Sequence, residues 1–207
     1  MNKTIIAASL LLSTFAASAL LAGETRQLST EIEVSPSTIA MLDVRVGNID
    51  IRPSKDNNIH IDIKISESEE WFSDNIQNAE LAIKEKDDRI MIRVGPEGKE
   101  YEENWTVYLP AVKKLDLDVG VGEADIEDIN TDMNVDVGVG TIQIRGNQQD
   151  FSKIKVESGI GDTRIKAEDG KNFSERHLVG GTSFWEGSGQ HSIQADVGVG
   201  DASIRLN

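Results

Sequence analysis

Cysteine is absent from this 207-residue chain. No disulfide can staple the fold and no lipid-modified cysteine can follow the N-terminus, so burial and backbone hydrogen bonding must hold the structure. Basic residues are scarce as well: 21 Lys and Arg stand against 36 Asp and Glu. Such a surface repels nucleic acid and anionic lipid headgroups and suits solubility, cations or a basic partner. After residue 22 no apolar run is long enough to span a bilayer, so no integral membrane segment is expected in the mature chain. The two-residue hairpin signals are nearly missing too; Asp169-Gly170 is the one example of Asn-Gly or Asp-Gly. No Pro- or Ser-rich linker divides the chain.

The first 22 residues have the parts of a secretory signal. Lys3 gives the positive start, Ile5 to Phe15 the apolar centre, and Ala19 or Ala22 the end of a small-residue cleavage site. Removing that leader takes Lys3 with it, leaving 20 basic side chains against 36 acidic ones and a net charge of −16. The mature chain, 23–207, is long enough for one domain with a real core; the whole chain is 38% hydrophobic, and its apolar residues alternate as a globular β protein requires.

Its main feature is a repeat. Four segments align without gaps around Val-Gly-Val-Gly or a close variant: 115–126, 133–144, 154–165 and 193–204. A fifth, 42–51, keeps the second glycine and has Arg45 in place of the first. In the second copy Met133, Val135, Val137 and Val139 alternate as one strand face, but beyond Gly140 the apolar residues are Ile142 and Ile144. The phase slips by one. Without a bend, that slip would turn the second apolar set to solvent. Gly140, and with it Gly47, Gly122, Gly161 and Gly200, is therefore expected at a corner, with positive φ or another backbone close by.

Corner glycines are spaced 18, 21 and then 39 residues apart, the last gap reading as a rung that has lost its motif. A period near twenty predicts an all-β fold, a single elongated β-solenoid. Regular repeats fill 114–207 and less regular strands fill 23–113. Antiparallel hairpins with Val-Gly-Val-Gly tips are the second architecture. In the N-terminal part Ile59 to Ile65, Leu81 to Ile83, Ile90 to Val94 and Trp105 to Leu109 read as strands, the last stopped by Pro110. Pro53 to Asn58 and Gly95 to Gly98 read as turns, and 66–78, with Trp71 and Phe72, as a polar excursion.

These features resemble the bacterial adhesin-like domain DUF4097, related to the toast-rack β-solenoid domains of cell-envelope proteins. The early single-glycine copy, the strand ending in Leu109-Pro110 and the tandem Val-Gly-Val-Gly copies carry the likeness. The resemblance implies an envelope-associated binding or scaffolding role at the periplasm or cell surface, an envelope protein or glycan as partner, and no catalytic residues.

Superposing the copies gives ladders. Asp43, Asp118, Asp136, Glu157 and Asp196 form an acidic column; Arg52, Glu127, Arg145, Lys166 and Arg205 form a mostly basic one. The acidic column either attracts cations or is balanced by the basic one. Phe184 and Trp185, in a Gly/Ser-rich stretch, are either a lid on the core or a platform for a ligand. No metal or cofactor is expected: His60, His177 and His191 lack a ligand spacing, even with Glu175 or Glu186 added. The glycine motifs lack the recurring Asp of calcium turns and the helix of a dinucleotide site. The last copy ends at Arg205-Leu206-Asn207, so its edge is expected to be open for pairing with a second copy or an envelope partner. A non-catalytic binding module is thus the leading expectation. A parallel β-helix enzyme acting on polysaccharide and a divalent-cation-responsive envelope sensor are the alternatives.

Overall fold

A computed structural model describes residues 25–66, 76–96, 99, 101–176 and 178–207. The leader with both cleavage positions, Trp71, Phe72 and His177 lie outside the described residues. Every long element among the described residues is a strand. They are β1 (Thr25–Glu33), β2 (Ile39–Pro53), β3 (Asn58–Ser66), β4 (Glu80–Lys86), β5 (Arg89–Gly95), β6 (Glu102–Leu109), β7 (Lys114–Glu127), β8 (Asp132–Gly146), β9 (Phe151–Ile160), β10 (Thr163–Lys166), β11 (Lys171–Arg176), β12 (Gly181–Glu186) and β13 (His191–Leu206). Together they form one mixed 13-stranded sheet. Two single-turn 3₁₀ segments, Ile76–Asn78 and Gln148–Asp150, complete the described structure.

The long strands cannot be straight. β7 has 14 residues, about 45 Å if extended. Yet β7 and β8 are parallel and in register, Lys114 beside Asp132 and Glu127 beside Arg145. Only four residues separate Glu127 from Asp132, and the five steps between them reach about 17 Å at most. The strand must therefore fold back near its middle, where Gly122 has φ of 146°. β2, β8 and β13 carry glycines of the same kind at Gly47, Gly140 and Gly200.

Each bent strand thus belongs to two layers. The halves before the corner lie in the order β4-β5-β2-β7-β8-β13-β9-β12-β11. The halves after it lie in the order β1-β3-β6-β2-β7-β8-β13-β10. Leu117, Val135 and Ala195 of the first layer and Ile126, Ile144 and Ile204 of the second are buried in one continuous core.

Three expectations are corrected. Gly161 does not follow Gly140 in space; β13 enters between β8 and β9, so the corner order is 47, 122, 140, 200, 161. The gap before Gly200 is no lost rung, because residues 171–186 form the antiparallel hairpin β11–β12 on the far side of β9. The C-terminal strand is no open edge either: β8 occupies one side of β13, and β9 and β10 the other. All three differences share one cause. β9 leaves a one-strand gap beside β8, and the chain closes it only after an excursion, burying Ile193, Ala195, Val197 and Ile204. The 18-residue period holds between β7 and β8, whereas β2 pairs with a strand 75 positions later.

Candidate functional site

The corners stack. Gly47, Gly122, Gly140 and Gly200 occupy one register position on adjacent strands, and Gly161 continues the column beside Gly200. At Gly140 an added Cβ would sit 1.7 Å from the carbonyl oxygen of Gly122, and φ is 145°. Both facts demand glycine there. A second column, Gly120, Gly138, Gly198 and Gly159, is tight without positive φ; a Cβ on Gly138 would lie 2.5 Å from the Gly120 oxygen. Arg45 ends this second column. β2 pairs with β5 only through Asp43 and with β6 only from Gly47, so among the described residues no further ladder position flanks Arg45 on that side. Its guanidinium instead donates to the Lys99 carbonyl at 2.5 Å.

The acidic column assembles in register: Asp43, Asp118, Asp136, Asp196 and Glu157 on five neighbouring strands. Partial burial, and then the charge of Asp43, raise the Asp118 carboxyl above its ordinary range. Burial raises Asp136 likewise, with Asp196 and Asp118 adding repulsion. Glu157 differs because Lys155 hydrogen-bonds it and lowers its pKa. The basic column does not balance these acids. It lies in the other layer, past the bend, and serves its own carboxylates: Arg145 meets Asp125 at 2.8 Å, and Arg52 meets Glu127 at 3.2 Å.

Val139 departs from the expected buried alternation. It is 47% exposed, and its register mates Val121 and Val199 are 48% and 44% exposed, because the bend begins before the second valine of the motif. Ile160 occupies the same position on β9. Of its two expected roles, Trp185 takes the lid. It is 2% exposed, its indole N–H donates to the Asp169 carbonyl at 2.8 Å, and Gly170 and Gly187 lie against its ring. It covers the end of the core and offers no platform. Phe184 lies half-buried on the opposite strand face, paired with the exposed Phe173.

Glu103 is a buried acid that the sequence reading did not single out. Burial pushes its carboxyl up to about 7, against the hydrogen bond from the Trp105 indole (2.8 Å) and the charge of Arg45. Its phase with Trp105, Val107 and Leu109 was the available signal. Among the described residues, Glu31, Asp56 and His60 place ligand-type atoms within 4.8 Å of one another. His60 lies 3.0 Å from Asp56, whose carboxylate also accepts the Asn58 and Ser54 donors. The trio is a surface polar cluster around the β2–β3 turn. His191 opens β13 beside Phe151, while Glu175 and Glu186 pair with opposite ends of the β11–β12 hairpin, so these residues form no joint ligand set.

Residues 22–166, well over half the chain, match the family described as the N-terminal domain of toast_rack, DUF2154. The chain belongs to the toast_rack family. A search of the curated proteins finds no match. Among solved structures, a "putative cell adhesion protein" from Clostridium sporogenes is 16% identical, with a TM-score of 0.55, covering 89% of this chain and 100% of its own. That likeness extends to fold alone. A "putative adhesin" from Parabacteroides merdae, 10% identical, covers 89% of this chain and 98% of its own at a TM-score of 0.28, too low to carry an argument. The toast_rack match ends at Lys166, yet β13, from beyond that point, lies inside the matched sheet between β8 and β9. Among the described residues no helix is long and apolar enough to cross a membrane.

Proposed function

We propose that this toast_rack protein is a non-catalytic, exported binding or scaffolding module of the cell envelope, built as a short, interrupted β-solenoid in one domain. The observation that carries the reading is the in-register repetition of surface chemistry across five adjacent strands, a carboxylate column beside a row of half-exposed aliphatic side chains. Repetition of one chemistry along a stack suits recognition of an extended partner, since each rung presents the same groups about 4.8 Å from the last. The apolar leader-like start of the chain supports export. The adhesion name of the Clostridium sporogenes neighbour agrees with a surface-binding role.

The test is capture. Immobilised mature chain, exposed to envelope extract, should retain a protein or glycan that is absent from an extract control run on a heat-unfolded sample. Turnover of a polysaccharide panel by the purified chain, abolished by one carboxylate substitution, would replace this reading with the enzymatic one.

A further inference from the structure

We propose that the stacked corner is a docking site for a cationic amphipathic peptide segment of a partner. The proposal rests on the module reading above and names the partner's chemistry. Val46, Val121, Val139, Val199 and Ile160 occupy one register position on five adjacent strands. At strand spacing the row is about 19 Å long, close to the length of a thirteen-residue helix at roughly 1.5 Å per residue. The last four are 48%, 47%, 44% and 55% exposed. Beside Val121, Val139, Val199 and Ile160, glycine columns run along both sides of the row and contribute no side chain to cover it; only Val46 has a side chain, Arg45, at its flank. A continuous aliphatic strip of this kind is unusual on a surface with no partner.

The flanks set the sign of that partner. On one side runs the column Asp43, Asp118, Asp136, Asp196 and Glu157. On the other, Glu123 and Asp201 lie just past the corner, with Asp162 donating its backbone N–H to Asp201 at 2.8 Å. Burial, and then the neighbouring carboxylates, raise the Asp118 and Asp136 carboxyls, and a cation brought alongside would favour their charged forms. A second copy would bring the same acids against these, and an anionic lipid surface would be repelled. A segment with leucine-like side chains on one face and Lys or Arg on the other satisfies both the strip and its flanks.

The experiment titrates a fluorescent Leu/Lys peptide of amphipathic helical periodicity into the mature chain, with a composition-matched scrambled peptide alongside. The patterned peptide is expected to bind more tightly and to shift the methyl signals of Val121, Val139 and Val199 in wild-type protein. The triple variant Val121→Thr, Val139→Thr, Val199→Thr keeps β-branching and should bind about tenfold more weakly. The pair Asp118→Asn, Asp136→Asn should flatten the salt dependence. Equal affinity for both peptides, unmoved corner methyls, or a wild-type dimer that the triple variant dissociates would each overturn the proposal. Because the methyl readout uses wild-type protein, a variant that fails to fold does not remove the test. Envelope capture that persists unchanged in the triple variant would discard the corner and leave the module standing.

Discussion

The parallel stack and the antiparallel flaps at its ends reach burial by different routes. In the stack, β2, β7, β8 and β13 repeat one solution, an aliphatic strand half, a corner glycine and a second aliphatic half shifted by one residue, with a second glycine before the corner in all but β2. Each rung supplies the surface on which the next packs, so small side chains suffice: the first-layer core of β13 is Ile193, Ala195 and Val197. The outermost flap strands, β1, β4 and β11, have no such neighbour on their outer side. The flaps add large groups to the core, Trp105 bonded to Glu103 between Ile49 and Ile63 on one side and Trp185 under Gly187 on the other. A repeat spreads its requirements over equivalent positions. An end concentrates them in one residue.

The sharpest way to break the stack is Gly140→Ala. The substitution forces a Cβ into the Gly122 carbonyl and places alanine at positive φ, for an expected loss of roughly 4 kcal/mol or more. Gly138→Ala meets a carbonyl at 2.5 Å with no positive φ and should cost roughly half as much. Arg45→Gly, at the end of that second column, should change stability by about 1 kcal/mol or less. Urea unfolding midpoints of the three variants rank them. Equal midpoints for Gly140→Ala and Arg45→Gly would show that the stacked corners are not the constraint.

At the flaps, Trp185→Ala should cost about 3–5 kcal/mol by leaving a cavity and an unpaired Asp169 carbonyl. The loss should be uneven, with amide exchange accelerating in β11 and β12 before β7 and β8. Uniform acceleration would mean that the end is not a separate lid.

Glu103 supplies a pH-dependent version of the same comparison. Its folded-state pKa is raised from 4.5 to about 7, so the cost of its buried charge is absent below about pH 4.5 and complete above about pH 7. Stability should fall across that window by on the order of 3 kcal/mol. Glu103→Gln keeps an acceptor for the Trp105 indole and should flatten the curve; an unchanged pH profile would place the titration elsewhere.

The corners were legible because their signal is local. A one-residue phase slip at Gly140 needs a bend whatever the rest of the chain does. Strand order was not, because nothing between Gly161 and Gly200 states that β13 returns to the gap beside β8; that choice is made by burial of a distant face. The exposure of Val139 escaped for a related reason. Alternation fixes which face a side chain takes but not where the layer ends, and here it ends one residue before the second valine. Trp185 stood open between lid and platform in the sequence, and the Asp169 carbonyl and the two glycines around its ring decide for the lid.

The two charged columns give the finest form of the comparison, now between layers. Asp125 sits between Arg52 and Arg145, and Asp136 sits between Asp118 and Asp196. The same substitution should therefore act with opposite sign. Asp125→Asn removes attraction and should lower stability by roughly 0.5 kcal/mol, whereas Asp136→Asn removes repulsion and should raise it by a few tenths, about 0.3 kcal/mol. The raised Asp136 pKa adds a direction: its penalty is absent when the carboxyl is protonated and appears as pH rises through the folded value, so the gain from Asp136→Asn should vanish in acid. Salt should shrink both effects together. If thermal melting at low ionic strength gave both variants the same sign, a counter-charge would have to reach Asp136, and the corner would lose the negative flank at Asp118, Asp136 and Asp196 that selects a cationic partner.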